Sequence, residues 1–301
     1  MRTEMIELRV WRQFVAVAEE LHFGRAALRL HMTQPPLTHA IAQLECVLDV
    51  RLFDRTRRSV RLTDAGEALL PTVRELLARA IELPGQARAA DRGEIGRLRL
   101  AFVSTVGYTL LPQWLRDFRT AYPRVQLELR EATSDVQLQA FERGDIDAGF
   151  LLHSPGFAPR GLTHWRAMVE PLVVALPESH PLASARRLAL SDLLREPLVV
   201  FPRRIVPSLH DALFGMYHAA GYEPLIAQEA IQMQTIVNLV SAGLGVAWVP
   251  DSVRQFQRCG VVYRQLTAHQ AKGVPKCETT LSWRTGSPVA ERFAAFTSGR
   301  Q

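Results

Sequence analysis

Lysine, cysteine and long apolar runs are all scarce in this chain of 301 residues. Lysine occurs only at Lys272 and Lys276, so arginine supplies nearly all of the positive charge, as a GC-rich genome would favour. The three cysteines, Cys46, Cys259 and Cys277, form no Cys-x-x-Cys pair. This odd, dispersed set argues against a disulfide framework or a cysteine metal site. We expect isolated thiols, and the alternative is a redox switch between Cys259 and Cys277.

Signals for membranes and export are also missing from the sequence. No apolar run approaches the roughly 20 residues that span a bilayer. Residues 1–4 lack the apolar core of a signal peptide. We therefore expect a cytoplasmic protein without a membrane partner.

The composition is that of an ordinary globular chain with a basic excess. Apolar residues make up 48%, charged residues 22%, and the formal net charge is +6. A chain of this length predicts two or three domains. The positive balance favours an anionic partner such as DNA, although a charge this small does not identify one.

Residues 23–45 carry the most informative pattern of the chain. They read FGRAALRLHMTQPPLTHAIAQLE and predict two short helices joined by a tight turn at residues 31–33. Thr33 can cap the second helix, and two prolines fall in its first turn, where a missing N–H costs least. Apolar residues then recur at spacings of four, three and four, and predict a buried face: Leu37, Ile41, Leu44 and Leu48.

The opposite face of this second helix is polar and contains no acidic residue. It presents Gln34, Thr38, His39 and Gln43. A helix with one buried apolar face and one polar face without acids suits insertion into a DNA major groove. An ordinary helical hairpin in a core is the alternative. A preceding helix at residues 8–21 should pack behind the pair, through a face formed by Leu8, Trp11, Phe14, Val15, Ala18 and Leu21.

Residues 52–62 predict two short strands around a basic tip. Arg55, Arg57 and Arg58 crowd this tip. After a helix-turn-helix, a basic hairpin is a wing that holds phosphates or enters the minor groove. A solvated charge cluster is the alternative.

A long helix should begin at residues 63–67, where a threonine hydroxyl and two acids favour a helix start. Apolar residues then recur at threes and fours: Leu62, Leu69, Val73, Leu76, Ala80 and Leu83. Such a seam predicts a dimerisation helix, unless it packs on its own domain. Pro84 and Gly85 should end or kink it, and residues 86–96 then form a polar linker.

From residue 98 the pattern alternates between strands and helices, which predicts parallel sheets wrapped by helices. One set covers strands 98–103, 125–130 and 147–152, with helices 108–122 and 135–143. A second begins near residue 168, with strands 172–176, 198–201, 226–229 and 246–249 and helices 208–219 and 233–242. The tail, with strand 279–283 and helix 289–296, should return to the first set. Two α/β lobes with two crossovers predict a hinged cleft.

Small ligands bind beyond the carboxyl ends of such strands, where helices begin. Polar residues occupy three of these junctions: Ser104 and Thr105, Thr133 and Ser134, and Arg203 and Arg204 with Pro207 and Ser208. They could converge on a carboxylate without a metal or cofactor. The alternatives are hydroxyls that only cap helices and arginines that face solvent. Scattered histidines and unpatterned glycines predict no metal site, catalytic triad or phosphate loop.

The helical hairpin resembles the helix-turn-helix of LysR-type transcriptional regulators. The shared residues are Ala26-Ala27, Leu30, Thr33-Gln34-Pro35 and Leu37-Thr38, flanked by residues 14–20, 51–55 and 62–66. Residues 144–150, 180–182 and 240–250 resemble recurrent phrases of the family's effector domain. The resemblance implies an N-terminal winged helix-turn-helix that is mainly α, a long linker helix, and an α/β two-lobed effector domain like a periplasmic binding protein.

The implied domains are a winged helix-turn-helix at 6–63, with its motif at about 23–42, and a linker and dimerisation helix at 64–90. Effector lobe I takes 91–167 and 270–301, and lobe II takes 168–269. The implied function is sequence-specific regulation of transcription under a small effector. Residues 20–25, 34–36, 201–202 and 207–208 look most like the subgroup that senses muconate-type carboxylates, so an aromatic-degradation intermediate is expected.

The resemblance also implies partners and site residues. Partners are double-stranded promoter DNA, a small carboxylate, a second copy in a homodimer or homotetramer, and RNA polymerase as a candidate. The DNA-binding residues are Thr33, Gln34, Pro35, Thr38, His39, Arg55, Arg57 and Arg58. The effector-binding residues are Ser104, Thr105, Thr133, Phe201, Arg203, Pro207 and Ser208. The alternative function is a solute-binding receptor or an enzyme built on the two-lobed half, without a DNA role.

Overall fold

The computed structural model describes residues 5–56, 59–267 and 271–299. The chain divides into two compact units, Met1–Arg88 and Ala89–Gln301. Arg57 and Arg58, at the predicted tip of the wing, lie outside the described residues, so their predicted DNA contacts stay predictions.

The first unit contains three helices, a short hairpin and most of a fourth, long helix. Its elements are α1 (Leu8–Glu20), α2 (Phe23–Arg29), α3 (Gln34–Leu48), β1 (Phe53–Arg55), β2 (Val60–Leu62) and α4 (Asp64–Asp91). Strands β1 and β2 pair antiparallel, as predicted for the wing. The two prolines at the start of α3 sit in its first turn, also as predicted.

The core of the first unit follows the predicted spacing in α3. Leu37 and Ile41 are fully buried, and Leu44 is nearly so. The predicted inner face of α1 is only partly right. Leu8 and Leu21 are each 45% exposed because they lie at the helix ends, and Val17 is buried instead.

Helix α4 begins as predicted but ends later. The amide N–H of Gly66 donates to the Thr63 hydroxyl (3.1 Å), which caps the helix. The helix does not end at Pro84, and the polar linker predicted at residues 86–96 is helical up to Asp91. The alternative of a kink at Pro84 stays a prediction. The helix continues through Pro71 and Pro84 to Asp91. A proline removes one backbone donor, and the alanines after Pro84 are strong helix formers that propagate the helix beyond it.

The apolar seam of α4 divides between two environments. Leu69 and Val73 pack against the core of α1–α3, as the own-domain alternative predicted. Leu76 and Leu83 are 44% and 60% exposed. The seam is therefore covered at its start and open to solvent further along.

The second unit alternates strands and helices. Its elements are β3 (Gly96–Phe102), α5 (Ser104–Gly107), α6 (Leu110–Ala121), β4 (Val125–Glu131), α7 (Ser134–Arg143), β5 (Ala148–His153), β6 (Thr163–Pro177), α8 (Leu190–Leu193), β7 (Leu198–Val200), α9 (Pro207–Ala219), β8 (Ile226–Glu229), α10 (Met233–Ser241), β9 (Ala247–Pro250), a 3-10 turn (Asp251–Gln255), β10 (Val261–Arg264), β11 (Lys276–Trp283) and α11 (Pro288–Ser298).

The predicted all-parallel sheets are wrong in part. Within the described residues, a seven-stranded sheet has the order β10-β6-β11-β5-β3-β4, with β9 also on β6. Strands β4 and β5 lie parallel to β3, but β11 is antiparallel to both β5 and β6. Strands β7 and β8 form a separate parallel pair. The tail strand does return to the first set, and its antiparallel direction makes the sheet mixed.

The long strand β6 joins the two parts of the sheet. Residues 163–166 and 168–171 pair with β11 on the two sides of a bulge, and residues from Leu172 onwards pair with β9 and β10. The sequence suggested only a strand at residues 172–176 here and missed β10. The boundaries expected for the two lobes stay predictions.

Candidate functional site

The first candidate surface is the polar face of α3. Thr33, Gln34, Pro35 and His39 are exposed. The opposite face of α3 is formed by buried leucine and isoleucine side chains. Thr38 is half-buried, and its hydroxyl donates to the Gln34 carbonyl (3.1 Å). Four of the five predicted residues therefore lie in the N-terminal half of α3, and Thr33 directly precedes it. A helix end of this kind can enter a major groove.

The turn before α3 is tight because of one unusual backbone conformation. His31 has a φ of 56°, in the left-handed region, and the chain reverses there between α2 and α3. The expected side-chain cap at Thr33 does not form: within the described residues, its hydroxyl accepts no amide of α3. Helix α2 is capped instead by His22, whose Nδ1 accepts the Arg25 amide (3.2 Å).

A single carboxylate ties α3 to the wing. Glu45 accepts the amides of Leu52 (2.9 Å) and Phe53 (3.0 Å) through Oε1. Its Oε2 accepts Nη2 of Arg55 at 2.7 Å. The Arg55 guanidinium also lies 4.8 Å from the centre of the Phe23 ring. Arg55 thus has two partners within the protein, and its predicted contact with the DNA backbone stays a prediction.

The second candidate site is a cleft in the second unit. It lies where β3, β4, β7 and β8 end and helices follow, as expected for ligands of α/β sheets. Four predicted residues line it: Ser104, Thr105, Thr133 and Phe201. The sequence missed the rest of its wall: Val103, Ala132, Ser134, Leu152, Ile205, Val206, Ile231, Gln232 and Met233. Ser134 was named at its junction but not among the predicted binding residues.

Thr105 is the most informative side chain in this cleft. The residue is 1% exposed, and its Oγ1 has no hydrogen-bond partner among the described residues. A buried hydroxyl without a partner is costly, so it marks a position where a ligand atom can complete the bonding. Thr133, by contrast, donates to the Asp135 carboxylate at the start of α7.

The remaining predicted residues lie beside the cleft. Pro207 and Ser208 line an adjoining cavity that shares Ser134, Leu152, Ile205 and Val206 with the cleft. Arg203 is exposed and binds both carboxylate oxygens of Asp211, each at 2.7 Å. These hydrogen bonds hold the pKa of Asp211 below its usual value. The solvent-facing alternative therefore describes Arg203 in this structure.

The junction that sequence analysis missed is the one between β8 and α10. It supplies Ile231, Gln232 and Met233 to the wall. The signal was present, because a strand at 226–229 and a helix from residue 233 were both predicted. Unlike the other three junctions, this turn carries no hydroxyl or cationic side chain at residues 230–232.

The cysteines are isolated thiols in the structure. Cys277 is fully buried in β11, where burial raises the pKa of its thiol well above the usual value. Cys259 and Cys46 are exposed. Over the described ranges, no group of three or more histidine, cysteine or acidic side chains could hold a metal ion. In the same ranges, no helix is long and apolar enough to cross a bilayer.

Comparison with known proteins assigns both units. The model of the bacterial regulatory helix-turn-helix protein, lysR family, matches residues 8–67. The LysR substrate binding domain matches residues 91–299. The chain is 46% identical over 280 residues to the HTH-type transcriptional regulator IlvR of Caulobacter vibrioides, across 93% of this chain and 92% of that protein.

Two further matches extend along nearly the whole chain. The chain is 41% identical to the HTH-type transcriptional regulator AlsR of Bacillus subtilis, over 87% of this chain and 86% of that one. The crystal structure of full-length CbnR in complex with its target DNA is 30% identical, with a TM-score of 0.79, and covers 97% of this chain and 99% of that one. These findings confirm the predicted fold class and exclude the enzyme alternative.

The two family matches cover both units, and the acid-free face of α3 and the cleft around Thr105 agree with them. The chain belongs to the LysR family of DNA-binding transcriptional regulators, with an effector-binding domain as its second unit.

Proposed function

We propose that this regulator reads promoter DNA through the exposed face of α3 and changes its action when a small carboxylate enters the cleft. The DNA-binding part of this proposal rests on one observation. Gln34 and His39 lie on an exposed, acid-free face of α3, opposite the buried Leu37 and Ile41. Gln34 pairs with an adenine, and Thr38 contacts a thymine methyl group. The regulator acts in the cytoplasm, with RNA polymerase as a partner.

The wing contributes affinity rather than sequence information. Arg55, Arg57 and Arg58 hold the DNA backbone in this proposal, and phosphate contacts of this kind are independent of sequence. Two chains join through α4, whose Leu76 and Leu83 are uncovered in the single chain. Dimers then pair into tetramers, and closure of the lobes on the effector changes how the tetramer bends DNA.

The effector half rests on the cleft at the ends of β3, β4, β7 and β8. The cleft offers hydroxyls and helix N-termini, which bind carboxylates without a metal. The sequence cues at residues 20–25, 34–36, 201–202 and 207–208 support an intermediate of aromatic degradation as the effector.

The experiment that tests the DNA half compares two variants on specific and random duplexes. DNA from upstream of the neighbouring operon serves as the specific duplex in a gel shift. Gln34→Ala should mainly erode the preference for that duplex, by about 1–3 kcal/mol. Arg57→Ala should weaken binding to both duplexes alike and flatten the salt dependence. Gln126→Ala, an exposed glutamine on β4, is the control. Equal losses on both duplexes for Gln34→Ala would refute the role of Gln34.

A further inference from the structure

The cleft around Thr105 encloses little room of its own. Its volume is about 30 Å³, and a water molecule needs roughly 10–15 Å³ of such space. Two polar atoms, such as the oxygens of one carboxylate, therefore fill it. The body of a larger ligand has to lie elsewhere.

The space continues beyond the cleft. Past the shared side chains of Ser134, Leu152, Ile205 and Val206 it opens into the adjoining cavity (the outer cavity), which holds about 410 Å³. An apolar cavity of roughly 150 Å³ already holds a benzene molecule. The outer cavity therefore has room for a ligand body more than twice the size of benzene.

Most of the wall of the outer cavity is apolar. It includes Leu138, Leu151, Phe157, Pro159 and Pro207. Leu138 and Phe157 are 38% and 66% exposed, so apolar surface is left in contact with water here. Covering such surface with hydrocarbon strengthens binding by up to about fourfold for each methylene group that is buried.

The acids and the histidine in this wall already have partners. Asp211 accepts two hydrogen bonds of 2.7 Å from Arg203. Asp135 accepts the hydroxyl of Thr133. Both ring nitrogens of His153 are engaged, one with a backbone carbonyl oxygen at 2.8 Å and one with a threonine hydroxyl at 3.1 Å.

Arg204, by contrast, is an unpaired cation in the wall of the outer cavity. It is exposed, and its side chain has no hydrogen bond or ion pair with any residue that the structure describes. Its guanidinium carries five N–H donors in a fork that matches a carboxylate.

The cleft has unsatisfied donors as well. Thr105 is 1% exposed, and its Oγ1 has no partner in the described part of the chain. Helix α10 begins beside it, and the first amides of a helix have no partner within that helix. Each part of the continuous space thus has its own donors for an anionic group, and Arg204 lines only the outer part.

We propose that the effector is an elongated dicarboxylate, longer than the six-carbon muconates. One carboxylate fills the cleft against Thr105, the hydrocarbon body lies in the outer cavity, and the far carboxylate binds Arg204. This inference rests on the proposed function, because it concerns the effector of the same site. A six-carbon diacid with one end in the cleft would leave much of the outer cavity unfilled.

The test is a calorimetric titration of the full-length chain with linear dicarboxylates of increasing length. The probes are succinate, adipate, suberate and sebacate, with cis,cis-muconate as the six-carbon reference. Affinity should rise about twofold to fourfold per added methylene group beyond six carbons. Suberate or sebacate should therefore bind at millimolar concentration or below, and at least about tenfold more tightly than adipate and muconate.

Two substitutions separate the two ends of the ligand. Thr105→Val removes the unpartnered hydroxyl and keeps the shape, so it should weaken suberate binding about tenfold. The ligand-free thermal midpoint should stay level or rise, which a purely structural threonine would not allow. Arg204→Gln should weaken suberate binding about threefold to tenfold, because the partner is an exposed cation.

The double variant and a shorter anion make this assignment stricter. Thr105→Val combined with Arg204→Gln should show the product of the two losses for suberate, because each substitution removes a different contact. Octanoate has the length of suberate and only one carboxylate, so only one of the two substitutions should weaken its binding. Thr120→Val, on the exposed face of α6, and Arg186→Gln, at another exposed arginine, are the matched controls.

The outcomes distinguish this inference from the proposed function. Tightest binding by succinate, adipate or muconate, lost in Thr105→Val, would overturn the elongated effector and leave the effector cleft intact. Suberate binding that Arg204→Gln leaves unchanged, or no binding of any dicarboxylate, would overturn it too. The gel shift with Gln34→Ala decides the DNA half independently of all these results.

Discussion

Ser154 and Ser208 join the end of β5 to the start of α9 through two hydrogen bonds. The Ser154 amide N–H donates to Oγ of Ser208 (3.1 Å), and the Ser154 hydroxyl donates to the Ser208 carbonyl oxygen (2.9 Å). Strand β5 lies in the large sheet, whereas α9 follows β7 of the separate strand pair. This double contact fastens the two lobes to one another beside the cleft.

Ser208→Ala should destabilise the contact between the end of β5 and the start of α9. The substitution leaves the Ser154 amide without its acceptor in a place where Ser154 is only 5% exposed. We expect the free energy of unfolding to fall by about 1–3 kcal/mol, measured by urea denaturation. Ser298→Ala, which removes an exposed hydroxyl at the end of α11, is the control and should stay close to the parent. Matching values for the two variants would contradict a role of Ser208 in joining the lobes.

Glu45→Ala should release the wing from α3. The carboxylate satisfies two backbone amides and the Arg55 guanidinium, so its loss leaves three donors without a partner. The expected loss of stability is about 2–3 kcal/mol, followed by thermal or chemical unfolding. If the proposed function holds, DNA affinity should also fall, because the hairpin is no longer held to α3. Glu82→Ala, an exposed acid on α4, controls for the lost charge; a similar effect there would rule out the bridge as the cause.

Asp147→Asn should alter the response of stability to acid. Burial by itself raises the pKa of Asp147, but hydrogen bonds from the Arg99 side chain and amide outweigh it, and the net pKa lies below the usual 3.8. Because the folded pKa is the lower one, the carboxylate stabilises the fold above the unfolded pKa. This contribution is lost as the pH falls through the folded pKa.

The measurement is the free energy of unfolding of both proteins between neutral pH and about pH 3. The parent should lose more stability than Asp147→Asn below about pH 4. Parallel curves for the two proteins would show that the Arg99 pair does not contribute to the acid response.

Leu83→Asp should shift the protein towards monomers. Leu83 is 60% exposed on α4 and belongs to the part of the seam that its own unit leaves uncovered. A charge there opposes burial against a second copy of the helix. Sedimentation velocity should show a smaller species at equal concentration, with the helix content by circular dichroism retained. Ala78→Asp, on the opposite side of the same helix, should leave the assembly unchanged. Equal dissociation of both variants would argue against the seam as the interface.

The local elements were largely predictable from the sequence. The spacing of Leu37, Ile41 and Leu44 predicted both the position of α3 and its exposed face, because helical periodicity is a property of neighbouring residues. The strand at 226–229 and the helix start at residue 233 were predicted with their observed bounds. The continuation of α4 past Pro84 did not follow from its residues, since a proline lowers the stability of a helix without deciding whether the chain beyond it stays helical.

Long-range partners were decided only by the tertiary structure. The pairing of β11 between β5 and β6 joins residues more than a hundred positions apart, and nothing in the pattern of the tail fixes its direction. The same holds for Arg203, for which the sequence left both the cleft and solvent open and which the fold pairs with Asp211. Sequence alone indicated the family, the exposed, acid-free face of α3 and three of the four strand ends that meet at the cleft. The folded chain decided which side chains are paired and which, like the Thr105 hydroxyl, have no partner among the described residues, because hydrogen bonding and burial depend on contacts between distant segments.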